Sequence, residues 1–444
     1  MSARFVPPHP PRPSGPVPVW RGFFGERARQ AVYGWSEQAF ESDGFTRDVL
    51  GFRVHVLLDP DAIQQALIDH AEDLPKPGIA LKLLAPVIGR GLLTADGDLW
   101  RRERKIVAAS FSPRAVQAIQ PLFERAATAA MDGWRAGATV DLAAVATATT
   151  MKVIALALFD DDPALTSRAA MQSITDALDS FSQPRMQALL GLPLVPIGFK
   201  ALRGQRGQRY LRATLARLVD ERRGGKGDDW LAGLVAALEA QFDAAEARAL
   251  AIDNAATFYL AGHETTANAL AWSMYLLGAQ PGLQDELAAE ARAAAGATAG
   301  ELLGRVPRLH AFLQEALRLY PPVPRFDRQA RTRLRLGKHD VAPGDIVSIW
   351  PWLVHRHRRL WDDPDAFVAD RFLGGERHRF QYIPFGGGPR ICVGAQFATL
   401  EALTILARWL ADWRFVATGA PVRTSGLVTL RPHPGVPLRL ERRP

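Results

Sequence analysis

The chain has 444 residues, 48% of them hydrophobic and 23% charged, which supports a sizeable core and excludes a disordered chain. Its 54 basic and 46 acidic residues leave a formal charge of +8, spread along the sequence without a basic–aromatic module, so nucleic acid is not an expected partner. A single cysteine excludes an intramolecular disulfide and a paired-cysteine zinc site, and a reducing compartment is the default.

Residues 1–20 are rich in proline and read as an extended arm leading into the fold. Neither the arm nor any later stretch holds some twenty uninterrupted apolar residues, so no membrane span is expected and the protein reads as cytoplasmic. Phe52 to Leu58 alternates like a strand, and Pro60 to Asp69 is helical in pattern. Asp98 to Pro113, then Pro113 to Leu158, continue with helical periodicity. Arg222 to Asp229 is a polar linker between helices. Asp243, with Glu246 three positions on, resembles a capping box, and the helical pattern it opens runs to Gln280 before Pro281-Gly282. Pro307 opens another helix that ends at Pro321-Pro322. Short strand-like pieces follow at Leu334 to Gly337 and Asp345 to Trp352. A glycine-rich loop from Phe385 to Gly394 leads into a last helix, Ala395 to Trp413, and the final thirty residues are turn-rich with short strands. One large, mainly α domain with a small β region is the expectation.

The loop reads Phe385-Gly386-Gly387-Gly388-Pro389-Arg390-Ile391-Cys392-Val393-Gly394. No Lys-Ser or Lys-Thr follows its glycines, so it is not a phosphate loop. A tight turn poor in side chains, at a helix N-terminus, suits a thiolate, because backbone N–H groups and the positive helix end stabilise anionic sulfur. Glycines let the backbone approach a flat cofactor closely. Arg390 can reach an anionic group on that cofactor. His355 and His357, at alternate positions, read as loop or surface residues more than as metal ligands.

Phe385, Gly388, Arg390, Cys392 and Gly394 resemble the signature of the cytochrome P450 family, and further landmarks follow the family's order from about Leu50 to the end. The resemblance implies a single-domain, triangular, mainly α fold over residues 21–444. It implies haem b (iron protoporphyrin IX) as cofactor, Cys392 as the iron ligand, and O2 as co-substrate.

Ala261-Gly262-His263-Glu264-Thr265-Thr266 lies midway along the long helix, where glycine costs about 1 kcal/mol against alanine. Phe258, Ala261, Gly262, Thr265 and Ala269 share one helical face. Alone, such a patch favours close helix packing; the resemblance instead implies an oxygen-binding motif, with Glu264 and Thr265 as its acid–alcohol pair. Glu315 and Arg318, at i and i+3, look like an ordinary surface pair worth about 0.2–0.5 kcal/mol, and the apolar arc of their helix does not argue for burial. The resemblance makes them a structural pair completed by Arg371. It also assigns Trp100 and Arg104 to a haem propionate, joined by Arg328 and Arg390, with Arg325 a competitor for the place of Arg328.

By the same resemblance the pocket is apolar, with walls from about Ile79 to Leu93, Leu178 to Phe199, Phe258, Ala261, Val323, Leu427 and Val428. Met186 to Phe199 reads as a mobile lid or as ordinary core. The substrate implied is a lipophilic small molecule, fatty-acid-, terpene- or steroid-like. The chain contains no dinucleotide, flavin or iron–sulfur motif. Electrons are therefore expected from NAD(P)H through a separate ferredoxin and ferredoxin reductase, docking on a monomer at a basic face with Arg101, Arg102 and Lys105. Competing readings are a peroxide-driven peroxygenase, a haem-thiolate isomerase or dehydratase, and a non-catalytic haem sensor. Glu264 and Thr265 together favour O2 activation over the first two chemistries, and a sensor would need a signalling domain that the sequence does not show.

Overall fold

The computed structural model describes residues 4–15, 30–49, 51–167, 170, 199–426 and 428–444. The chain forms two compact units, one of residues 1–75, 123–147 and 265–444, the other of residues 76–122 and 148–264.

The first unit holds all the β structure of the described residues. Strands β1 (Gly44–Val49) and β2 (Phe52–Leu57) form an antiparallel hairpin. β2 then runs parallel to β7 (Ile346–Ile349), which pairs antiparallel with β4 (Phe326–Gln329), for the order β1-β2-β7-β4. The last three residues of β2 and of β7 are buried, as expected for a strand covered on both faces. β3 (Thr139–Asp141), β11 (Pro437–Arg442) and β8 (Trp413–Ala417) form a second sheet with β11 central. The pairs β5–β6 (Leu334–Leu336, His339–Val341) and β9–β10 (Arg423–Ser425, Arg431–His433) complete the set.

Helices among the described residues are numbered in chain order, α1 being Pro60–Gln64 and α2 Gly78–Ile88. Helices α3 (Gly97–Ser110) and α4 (Pro113–Ala129) follow, then α5 (Leu142–Phe159) and α6 (Pro163–Thr166). The stretch of helical periodicity from Pro113 to Leu158 is thus two helices. A turn ending near Gly137 and strand β3 interrupt it, the Gly137 N–H bonding the Leu440 carbonyl at 2.7 Å. By length and composition α5 is apolar enough to cross a membrane, yet two thirds of it is buried inside the protein, as in a core helix.

Helices α7 (Phe199–Arg222) and α8 (Trp230–Glu239) flank the polar linker, whose Asp229 caps α8 by accepting from Ala232 N at 2.8 Å. Helix α9 (Ala244–Gly278) runs 35 residues. Asp243 starts it by accepting from Glu246 N at 2.9 Å, and Pro281 opens the next helix, α10 (Pro281–Ala293). Then come α11 (Ala299–Arg305), α12 (Pro307–Leu319), α13 (Pro351–Val354) and α14 (Ala395–Asp412). α12 stops before Pro321 and Pro322, which cannot continue it. The mainly α reading with a small β region holds.

The described part of the N-terminal arm is tied to its unit. Phe367 N donates to Phe5 O at 2.9 Å, and the Tyr320 hydroxyl donates to Pro8 O at 2.8 Å. Arg12 pairs with Asp365 (Nη1 at 2.7 Å) and stacks over Phe40 at 3.8 Å. The expected lid, Met186 to Phe199, and the wall segment from Leu178 lie outside the described residues, apart from Phe199 at the start of α7.

Candidate active site

The cysteine loop turns on Gly388. Its φ of +69° is left-handed, and an added Cβ would run into the Leu67 carbonyl oxygen. That turn brings Cys392 N within 3.0 Å of Phe385 O and Ile391 N within 3.1 Å of Gly388 O. Gly394 caps α14, its carbonyl accepting from Ala398 N at 2.8 Å. Cys392 stands exposed two residues before that cap, with Phe385, Gly388, Arg390 and Gly394 half-buried around it in sequence. The positive end of an 18-residue helix and an accessible sulfur are what an anionic metal ligand requires.

Along α9 the run Leu250 to Leu260 is buried, and so is Thr266 to Met274. Between them Ala261 is exposed, and Gly262, Glu264 and Thr265 are half-exposed. A long core helix is therefore accessible along one short stretch, at the acid–alcohol pair. Gly262 answers to packing: a Cβ there would lie 2.6 Å from Ile154 Cδ1 on α5. The small residue expected to admit a cofactor is thus also demanded by a helix crossing. His263 points inward, its Nδ1 2.7 Å from Tyr259 O, while its own carbonyl accepts from Thr150 Oγ1 at 3.0 Å. Burial lowers its pKa and keeps it neutral. Phe258 is buried in an aromatic cluster, with ring centroids 5.4 Å from Phe111 and 5.2 Å from Trp230.

Trp100 and Arg104 are half-buried on α3. Arg328 is buried on β4, with Nη1 donating to Asp327 O at 2.9 Å. Its competitor Arg325 is largely exposed and paired with Asp327 at 2.7 Å. Val323 is half-buried, Val428 is exposed, and Leu427 lies outside the described residues. Of the three docking cations, Arg101 pairs with Asp98 at 2.6 Å. Arg102 lies 3.9 Å over the Phe242 ring and donates to Gln241 O. Lys105 is exposed.

Glu315, Arg318 and Arg371 meet. Arg318 forks onto Glu315 with bonds of 2.7 and 2.8 Å, and Arg371 Nε adds one of 3.1 Å. Both side chains of the first pair are fully buried. The three thus meet as the structural set that the resemblance implies, and not as the exposed pair that the helix pattern alone suggests. Arg318 is buried because its remaining donors take the carbonyls of His355 and Pro364 at 2.7 Å and Ala366 at 3.1 Å. His355 is itself buried, its Nε2 accepting from Ile383 N at 2.8 Å, and His357 reaches Ser42 O at 3.1 Å.

Two acids escaped the sequence reading. Glu103 on α3 is fully buried, and burial raises it to about 7. Glu401 on α14, also fully buried, sits beside Thr266 of α9, and burial pushes its pKa well above the usual carboxylate range. Helical phase signals the second: Phe397, Leu400, Leu403 and Thr404 are buried on the same helix.

A cysteine held on a glycine turn at a helix mouth, in a mainly helical protein, defines the haem-thiolate class. The chain belongs to the cytochrome P450 family, whose model matches residues 13–442. It is 31% identical over 403 residues to cyclooctatin synthase of Streptomyces melanosporofaciens, covering 87% of this chain and 82% of that one. To 11-oxo-beta-amyrin 30-oxidase of Glycyrrhiza uralensis it is 30% identical over 447 residues, covering 94% and 82%. To putative cytochrome P450 132 of Mycobacterium tuberculosis strain H37Rv it is 30% identical over 367 residues, covering 78% and 79%. Membership makes it an oxidoreductase of the monooxygenase kind and implies a thiolate-ligated haem iron and O2. The residues present fit that group: the only sulfur ligand of the chain that can form a thiolate is accessible, and its loop is side-chain-poor.

Proposed function

We propose that the protein inserts one oxygen atom of O2 into a C–H or C=C bond of a lipophilic small molecule, fatty-acid-, terpene- or steroid-like. Electrons come from NAD(P)H through a separate ferredoxin and its reductase. The observation that carries the reading is Cys392, exposed on the Gly388 turn at the mouth of α14. Haem, when bound, supplies the oxygen-activating chemistry, and a thiolate ligand favours O–O cleavage.

Cys392 holds the iron, with Phe385, Gly388 and Gly394 shaping its loop. Arg104, Arg328 and Arg390 would neutralise the haem propionates, and the Trp100 indole N–H would donate a hydrogen bond to one of them. Ala261 and Gly262, with small or no side chains, would leave room for the cofactor beside α9. Thr265 presents a hydroxyl from the accessible stretch of α9, and the half-exposed Glu264 exchanges protons with solvent for it. The family resemblance assigns substrate contacts to Phe258, Ala261, Val323 and Val428, and to Leu427, which lies outside the described residues. Turnover of a converted compound under labelled O2 tests this. One labelled atom should enter each product molecule, whereas unlabelled product, or turnover driven by peroxide alone, selects a rival chemistry.

Thr265→Ala should keep the fold within about 1 kcal/mol, since one half-exposed hydroxyl is lost. NAD(P)H consumption continues, product per NAD(P)H falls by about tenfold or more, and hydrogen peroxide appears in its place. Unchanged coupling would reduce Thr265 to a packing residue.

Electron delivery is expected to use the exposed Lys105. Lys105→Glu should slow reduction by ferredoxin up to about tenfold at low salt, and the difference should vanish as salt screens it. Arg102→Glu is the poorer test, because it also breaks the contacts with Phe242 and Gln241. Reduction that ignores both salt and Lys105→Glu places docking elsewhere.

A further inference from the structure

Glu103 belongs to a node that joins three segments of the second unit. Its Oε1 accepts from Asn254 Nδ2 at 3.0 Å, and its Oε2 has no hydrogen-bond partner among the described residues. Asn254 and its neighbour Asp253 also reach the turn that follows α2. Leu92 N donates to Asn254 Oδ1 at 2.9 Å, and Arg90 N donates to Asp253 Oδ2 at 2.7 Å. Gly89 has φ +62°, and an added Cβ would overlap the Asp253 carboxylate. Thr94 Oγ1 closes the turn onto Gly89 O at 2.7 Å. From α7, Arg212 Nη2 holds Asp253 Oδ1 at 2.7 Å. Two adjacent side chains of α9 thus fasten α3, the 89–92 turn and α7.

The charged groups facing Glu103 are Asp253, of like sign, and Arg90, of opposite sign. Helix α8 packs on α3, and its Leu231, Leu234, Val235 and Leu238 are buried. Its charged ends are engaged elsewhere, Glu239 with Arg223 and Asp229 with Arg222. On α3 itself, Arg101 pairs with Asp98, Arg102 is turned to Gln241, Arg104 is half-buried and Lys105 is exposed. A negative charge on Glu103 would therefore be buried with Asn254 donating to one oxygen, no donor to the other among the described residues, and Asp253 beside it. Such a charge is costly in a low-dielectric interior.

We propose that Glu103 is a proton-operated latch: protonated, it holds Asn254 and Asp253 on the 89–92 turn, and ionised, it releases the turn from α9. The proposal rests on the reading that residues 79–93 wall the substrate pocket, and it assigns pH control to that wall. With the latch closed, burial raises the Glu103 carboxyl to about 7 against an ordinary value of 4.5. The closed state therefore binds the extra proton, and opening becomes easier as pH rises between those values. Linkage predicts roughly tenfold more opening per pH unit from about 5 to 6.5, levelling above about 7.

Amide hydrogen exchange of the haem-loaded protein at Arg90 and Leu92, corrected for intrinsic rates, reads the latch directly. Protection should fall by up to about 100-fold between pH 5 and 7 and then plateau. In Glu103→Gln, which keeps the acceptor and cannot ionise, protection should stay nearly flat. A flat wild-type profile overturns the latch without recourse to any variant, and so does a wild-type slope in Glu103→Gln. Association of n-butyl isocyanide, a neutral iron ligand, tests the wall separately: its rate should rise over the same pH window in the wild type only. Exchange that behaves as expected beside a pH-independent association rate retains the latch and removes the turn from the pocket wall.

Discussion

Cys392→Ser should abolish the red-shifted Soret band of the reduced, carbon monoxide-bound protein and leave monooxygenase turnover undetectable. A thiol with an ordinary pKa of about 8.5 needs only modest help from a helix end to ionise near neutrality, whereas a serine hydroxyl stays neutral and is a poor iron ligand. The fold should survive. Cys392 is exposed, and the bond from its N–H to Phe385 O belongs to the backbone. The change should cost less than about 1 kcal/mol. Because the chain has one cysteine, a thiol reagent gives an independent reading. Haem-free protein should label once, haem-loaded protein should resist, and the serine variant should not label at all. A serine variant that keeps the red-shifted band would end the thiolate assignment.

Glu315→Ala should be the most destabilising single substitution in the buried ion network. The carboxylate accepts from Arg318 Nε and Nη2, from Arg371 Nε, and from Val368 N at 3.0 Å. Its removal strands the fully buried Arg318 and leaves Arg371 with backbone carbonyls only. Breaking such a pair costs about 3–5 kcal/mol, against a total stability of about 5–15 kcal/mol. Arg371→Ala should cost less, since Arg371 is partly exposed and Glu315 keeps its fork to Arg318. Chemical denaturation of haem-loaded protein would rank the two, with soluble yield at lowered temperature as the second measure. Equal and small losses for both would show that the network contributes little to stability.

Much of the architecture was legible along the chain because its signals are local. Asp243 caps α9, Pro281 opens the next helix, Pro307 starts α12, and Pro321-Pro322 ends it. Each is a constraint on neighbouring backbone, readable from a few residues. The cysteine loop was legible for the same reason: a left-handed turn needs glycine, and a helix start needs its cap. The strand inserted between α4 and α5 was not, because β3 exists only through its pairing with β11 near the C-terminus.

By itself, then, the sequence determined the helical frame and the cysteine loop, through short-range rules and a family signature, and it proposed Glu264 and Thr265 as the acid–alcohol pair. Tertiary structure decided which polar groups lose water. Glu315 and Arg318 look like a surface pair on their own helix, and they are buried because carbonyls from His355, Pro364 and Ala366 come to meet them. Gly262 looks like room for a cofactor and also accommodates Ile154. Glu103 reads as one more charge on a cationic helix, until Asn254 and Asp253 of α9 enclose it. Burial of a charge depends on partners distant in sequence, and local pattern does not encode them.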